Sequence, residues 1–267
     1  MRIIRFLDPA GQTHFGAQQP DGSALRIEGD ILAAHTLTTQ KIPVAKLLAP
    51  IVPAAVLAIG QNYRRHAAEM KSKVAEFPVL FMKSPACLNN PGDPIQIPTH
   101  LQSNEVDFEV ELAVVIGKRA KNVPAADALH YVLGYTIAND VTARDWQKTF
   151  GGGQWCRGKG FDTFLPLGPA IVTPDEIPDP NNLALSTTLN GTLMQSSSTA
   201  DMHFNVQTLI AFLSGSTTLL PGTVIITGTP EGIGAARTPP VFLKPGDTLS
   251  MTIEKIGTLA NSVINEP

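Results

Sequence analysis

Glu105-Val-Asp-Phe-Glu-Val-Glu-Leu-Ala-Val-Val-Ile-Gly117 is the most informative stretch of this 267-residue chain. Side chains on a strand alternate with period two, so Glu105, Asp107, Glu109 and Glu111 share one face and Val106, Phe108, Val110 and Leu112 the other. The run passes directly into residues 112–116, which are apolar throughout and predict a buried strand. Neighbouring acids repel, and a carboxylate is costly to bury unpaired, so the row needs compensation where it enters the core. A divalent cation would supply it. Hard oxygen donors with no Cys or His nearby favour magnesium, manganese or calcium over zinc. The other reading is a solvated strand face with Lys or Arg opposite it.

Outward from that strand, the chain is built of short apolar runs, such as residues 56–59, 79–82 and 224–227, separated by Gly, Pro and Asn-Asp signals. With 22 glycines and 22 prolines the composition favours many turns and short strands, and the fold class expected is mainly β with short helices (α+β). Helical spacing appears only over residues 63–71, 125–131, 143–148 and 206–213. The breaker Pro50-Ile-Val-Pro53 divides a small N-terminal strand-rich domain, residues 1–53, from a larger domain, residues 54–267, that carries the chemistry.

Charge and composition exclude several classes. The net charge of −3 and the lack of a basic block argue against nucleic-acid binding. No apolar run approaches the roughly 20 residues of a membrane span, and the opening Met1-Arg-Ile-Ile-Arg-Phe-Leu-Asp-Pro9 is too charged for a secretory signal. Cys87 and Cys156 form neither a Cys-x-x-Cys pair nor a disulfide framework, which fits a reducing compartment. A cytoplasmic protein is expected, with no membrane or nucleic-acid partner.

Four other segments concentrate reactive side chains. In Ile137-Ala-Asn-Asp-Val-Thr-Ala-Arg-Asp145, Asp140 follows a strand-like run, as a third metal carboxylate or as a helix N-cap. His66 and Glu69 are three apart on a short helix and so share a face, as a general-base pair or as an exposed helix pair. Gly151-Gly-Gly-Gln-Trp-Cys-Arg-Gly-Lys-Gly160 resembles a phosphate-binding loop but has Gly160 in place of the metal-holding hydroxyl and no strand before it. It reads instead as a mobile segment presenting Lys159 to an anionic substrate, or as a plain loop. Thr227-Gly-Thr-Pro-Glu-Gly232 is a turn whose amides and hydroxyls suit a carboxylate, or simply a tight turn. No Gly-x-Ser-x-Gly elbow is present to support a serine hydrolase.

In that order, Gly60-Gln-Asn-Tyr63 with His66 and Glu69, residues 106–117, Asn139-Asp140 with Thr142-Ala-Arg-Asp145, Gly158-Lys159 and Thr227-Gly-Thr-Pro230 resemble the fumarylacetoacetate hydrolase family over about residues 55–264. Gly160-Phe-Asp-Thr-Phe-Leu-Pro-Leu-Gly-Pro169 and Pro239-Pro-Val-Phe-Leu-Lys-Pro-Gly-Asp247 are most like its domain-containing protein 2 branch. The resemblance implies a mixed β-sandwich roll with a small N-terminal domain, a homodimer, and one magnesium or manganese ion per site. It implies Glu109, Glu111 and Asp140 as metal ligands, His66 and Glu69 as a water-activating dyad, Lys159 as a catalytic cation, and Tyr63, Arg144, Gln147 and Thr229 near the substrate. Where the founding enzyme has a further metal-binding Asp, this chain has Gln61-Asn62, so water is expected in that position.

The activity so implied acts on a small-molecule 2-oxo acid. The first reading is hydrolysis of a C–C bond in an acylpyruvate or fumarylpyruvate: water activated by His66 and Glu69 attacks the distal carbonyl, and Lys159 stabilises the oxyanion. The second is keto–enol tautomerisation or decarboxylation of oxaloacetate through the same enolate, without attacking water. A non-catalytic metal-binding relative is the third, disfavoured because all three carboxylates and both dyad residues are present.

Overall fold

The computed structural model describes residues 1–73 and 75–267. Its largest sheet has twelve strands. The main path runs from the edge strand His35–Ile42 through Ala24–Gly29, Thr13–Gln18 and Arg2–Leu7 to Leu165–Val172. It continues through Val132–Asn139, Val110–Ile116, Thr223–Ile226 and Ala55–Gly60 to the other edge strand, Val79–Lys83. The N-terminal strands thus continue the main sheet, joined where Arg2 and Ile3 pair with Val172 and Ile171.

A five-stranded sheet, ordered Thr192–Ser198, Ala184–Leu189, Thr248–Ile253, Gly257–Asn265 and Ile95–Ile97, packs against the middle of the first. Leu112 and Ile137 from one sheet and Leu185, Met251 and Leu259 from the other fall in one buried core. Helix Val206–Ser214 lies against the 3₁₀ turn Ala125–Tyr131 and buries Val206, Leu209, Ile210 and Leu213, spaced as an apolar helix face. Because Val110–Ile116 has neighbours on both faces, all seven residues are buried, which is why its apolar run is continuous rather than alternating. Truncating Leu112 to Ala costs about 2–5 kcal/mol at such a position.

The expected strand from Glu105 is broken. Val106–Asp107 pairs with Thr142–Ala143 in a separate two-stranded ribbon, and the ladder resumes at Val110. Asp107 also accepts the amides of Gly234 at 2.8 Å and Ala235 at 2.9 Å, which ties it to a different part of the molecule from Glu111. The helix expected over residues 143–148 begins one residue later, after the strand Thr142–Ala143, and continues from Arg144 into a π-helical turn, Trp146–Phe150, capped by Asp145. No helix among the described residues is long and apolar enough to cross a membrane.

Candidate active site

The ends of several strands meet at one cavity. Glu109 and Glu111 stand at the start of Val110–Ile116, and Asp140 directly follows the antiparallel Val132–Asn139. The Asp140 amide donates to the Glu109 carbonyl at 2.9 Å and so clamps the two carboxylate-bearing segments together. Oxygens of Glu109, Glu111 and Asp140 lie within 4.8 Å of one another, and all three residues are buried.

Three cations are sunk beside them. Arg144 donates to Asp107 Oδ2 from Nε at 2.9 Å and from Nη2 at 2.8 Å, while Nη2 also lies 2.7 Å from Glu109 Oε1. Lys159 Nζ bridges Glu109 Oε2 at 2.8 Å and Asp140 Oδ2 at 2.6 Å. Lys83 Nζ is 2.8 Å from Asp140 Oδ1, an ion pair without hydrogen-bond alignment, and donates to the carbonyls of Val141 and Lys159.

With Asp107, four carboxylates face three cations, and the imbalance falls on Glu111. Burial first, then the charges of Asp140 and Glu109, push its carboxyl well above the ordinary range, against the charge of Lys159 and an amide hydrogen bond from Gly228 at 2.6 Å. Burial also raises Glu109, but Lys159 and Arg144 outweigh it and hold that carboxyl at about 2. A divalent cation among the three acids would offset the excess negative charge. An all-oxygen carboxylate donor set suits magnesium or manganese, so the residues present fit such an ion.

His66 lines the same cavity, and its Nδ1 is 3.0 Å from Glu69 Oε2. Glu69 Oε1 accepts the Gly232 amide at 2.9 Å. Burial raises the Glu69 carboxyl, but the hydrogen bonds from His66 and Gly232 prevail and hold it below its ordinary range. Helix Arg64–Glu69 has a single turn or so of its own, too short to be stable in isolation. It is pinned by Asn62, whose Nδ2 donates to the carbonyls of Phe204 at 3.0 Å and Thr227 at 2.8 Å, and whose Oδ1 accepts the Phe204 amide at 2.8 Å. Asn62 is therefore fully used in holding backbone, and of the Gln61-Asn62 pair it is Gln61 that lines the cavity.

Gln147, Thr229, Arg144 and Lys159 also line it, as does Lys148. Arg144 Nη1 donates to Gln147 Oε1 at 3.1 Å, and Thr229 Oγ1 donates to the Val110 carbonyl at 3.1 Å while accepting from Gln195 at 2.9 Å. Tyr63 is different: it is completely buried, its hydroxyl has no partner among the described residues, and it is not part of the cavity wall. Asp140 accepts a hydrogen bond from Lys159, forms an ion pair with Lys83, and caps no helix. Gly158 explains the Gly-Lys motif, because a Cβ there would lie 2.6 Å from the Gln147 amide nitrogen; only glycine lets the short helix Cys156–Lys159 approach closely enough to insert Lys159.

Several site groups had no signal in the sequence. Lys83 ends an ordinary apolar strand, and Gln195 sits in a polar one, yet both are buried within the site's supporting network. The apolar wall of Ile59, Met70, Phe81, Trp155 and Ile233 comes from five separated segments. The cavity they complete measures about 150 Å³, below the roughly 300 Å³ at which drug-sized sites begin.

The chain belongs to the fumarylacetoacetate hydrolase family. The family described as fumarylacetoacetate (FAA) hydrolase C-terminal matches residues 55–264, and one described as Rv2993c-like, N-terminal, matches residues 1–50. The chain is 47% identical over 240 residues to the fumarylacetoacetate hydrolase domain-containing protein 2 homolog of Dictyostelium discoideum, covering 86% of this chain and 78% of that one. It is 48% identical over 231 residues to the oxaloacetate tautomerase fahd2, mitochondrial, of Xenopus laevis, covering 86% and 71%. Among solved structures, the 5-carboxymethyl-2-hydroxymuconate delta-isomerase from Mycobacterium smegmatis superimposes with a TM-score of 0.87 at 42% identity over the whole of both chains.

Proposed function

We propose that this protein is a magnesium- or manganese-dependent enzyme that interconverts the enol and keto forms of oxaloacetate or a closely similar short 2-oxo acid. The observation that carries the proposal is the convergence of three buried carboxylates, Lys159 and His66 on one cavity of about 150 Å³. Its small size favours a short substrate, and a relative 48% identical is named an oxaloacetate tautomerase.

Glu109, Glu111 and Asp140 would hold the ion, which when bound supplies a Lewis acid for charge developing on the 2-oxo oxygen. The chain's own residues do the rest. With Nδ1 engaged by Glu69, His66 Nε2 is the ring nitrogen left to carry a proton, and we assign it to C3 of the substrate: the enol oxygen loses a proton and C3 gains one. Glu69 holds the imidazole in orientation. Lys159 and Arg144 keep positive charge beside the substrate's oxygens, and Gln147 and Thr229 add hydrogen-bonding groups to the wall.

Hydrolysis of an acylpyruvate is the second reading, and the dyad favours it: a histidine backed by a carboxylate is suited to deprotonating water, whereas tautomerisation needs no nucleophile. One experiment separates the readings. Metal-loaded protein and an EDTA-stripped control are followed by ultraviolet absorbance on enol-oxaloacetate, acetylpyruvate and fumarylpyruvate. Metal-dependent ketonisation with both diketo acids untouched supports the tautomerase; pyruvate release from a diketo acid overturns it in favour of the hydrolase; inertness to all three overturns both.

The working unit in this proposal is a homodimer in a reducing compartment such as the cytoplasm. Leu80 and Met82 project from the edge strand Val79–Lys83, and Phe77 stacks on Phe212 with centroids 6.2 Å apart, leaving exposed apolar surface suited to burial against a second copy. Both cysteines are free thiols, which supports the compartment. Light scattering on wild type and Met82→Glu tests the dimer, the variant being expected to run as a monomer.

A further inference from the structure

Gly60 ends the strand Ala55–Gly60 without a left-handed backbone, so its conformation does not require glycine. Space does. A Cβ on Gly60 would lie 2.3 Å from Cζ3 and 2.9 Å from Cη2 of Trp155, so the indole sits directly on the Gly60 backbone. From the adjacent strand, Phe81 meets the same indole edge to face at 5.4 Å and 66°. All three residues line the cavity. Trp155 follows Gly152 and Gly153, both with positive φ, and precedes the short helix that carries Lys159.

We infer that Trp155, seated on Gly60 and braced by Phe81, is the specificity-determining wall of this site and restricts it to 2-oxo acids of about four carbons. The inference rests on the reading above of a 2-oxo acid site. A substrate held by its 2-oxo carboxylate among the buried polar groups must direct its other end toward the outer wall, where the indole is the largest side chain and Lys148 can meet a terminal carboxylate. Short chains fit beneath it. Each further methylene must displace a packed ring, and pockets discriminate by roughly 10- to 200-fold per methylene. Trp155 acts by filling space and takes no part in proton transfer.

The test uses full-length, metal-loaded wild type with Trp155→Ala, Trp155→Phe and Gly60→Ala. In the last of these the added methyl pushes the indole aside without removing it. Calorimetry measures binding of unbranched 2-oxo acids from pyruvate to 2-oxooctanoate, and turnover is compared for enol-oxaloacetate and acylpyruvates of increasing length. Wild type should bind best near four carbons and lose at least tenfold beyond five. Trp155→Ala and Gly60→Ala should each move the optimum two or more carbons longer, with Trp155→Phe between wild type and these two. An identical length profile in wild type and both displaced-wall variants, or no length preference in wild type, overturns the inference. If Trp155→Ala does not fold, as shown by circular dichroism, Gly60→Ala alone decides. Should binding shift as expected while wild type turns over no substrate, the wall stands and the tautomerase reading fails.

Discussion

The floor of the site and its rim are built on opposite principles. Glu109, Glu111 and Asp140 rise from the ends of a paired ladder in which Val110 faces Asn139 and Glu111 faces Ala138, and their charges are met by lysines and an arginine with almost no exposure. His66 and Glu69, by contrast, stand on a six-residue helix, and Lys148 and Trp155 flank a glycine turn. Where charge must be held at fixed spacing, the molecule uses sheet registers and ion pairs. Where a substrate must enter, it uses short elements held by a few hydrogen bonds, which open at little cost.

The comparison breaks most sharply at the metal ligands. Asp140→Asn should reduce affinity for magnesium by roughly a hundredfold or more, given that even an outer partner of a metal ligand is worth 10- to 100-fold. Activity should fall to the metal-free background; an isotherm indistinguishable from wild type removes Asp140 from the floor. Next is Lys83→Met, which leaves Asp140 short of one buried partner. Breaking a buried ion pair costs about 3–5 kcal/mol, which in a chain of this size lowers Tm on the order of 10 °C. A fall of only a degree or two in a thermal scan would show the floor to be less tightly coupled than its geometry indicates.

At the rim, Glu69→Gln should leave Tm within a few degrees of wild type while lowering the proton-transfer rate roughly a hundredfold. Ketonisation of enol-oxaloacetate at the wild-type rate in this variant would refute the dyad assignment.

The floor also predicts a pH signature. A group whose folded value is raised contributes stability that is fully present below its unfolded value, here an ordinary 4.5, and is lost as pH rises through the folded value. Glu111 is such a group, so the metal-free protein loses this contribution as pH rises, whereas metal binding, which needs the carboxylate, strengthens by up to tenfold per pH unit. The Tm gap between magnesium-loaded and EDTA-treated protein should therefore widen from pH 5 to pH 8. A constant gap would mean that Glu111 is already ionised without metal. The smallest effect belongs to Lys148, an exposed cation on the cavity wall. Lys148→Ala should raise KM for a dicarboxylate only a few-fold, in proportion to a screened surface charge, with kcat unchanged and the difference shrinking in added salt.

Much of the floor was legible because strand periodicity placed Glu109 and Glu111 on one face and an apolar run showed that the face would be buried. The same periodicity misplaced Asp107, since it carries no information about a break at Phe108 and Glu109; with the break, Asp107 serves Arg144. His66 and Glu69 were readable from helical spacing, but Lys83 was hidden, because a lysine closing an apolar strand is ordinarily a surface residue.

By itself, the sequence determined which atoms are available: an oxygen-rich acidic set, a His–Glu spacing, two glycine-rich turns and a β-rich chain to carry them. These follow from local periodicity and side-chain chemistry. Only the tertiary structure decided that Lys83, 57 residues before Asp140, neutralises it, that Trp155 rests on Gly60, and that Tyr63 lies behind the cavity rather than in it. Those outcomes depend on which strands become neighbours, and that pairing is set by the burial of the whole core rather than by any segment of it.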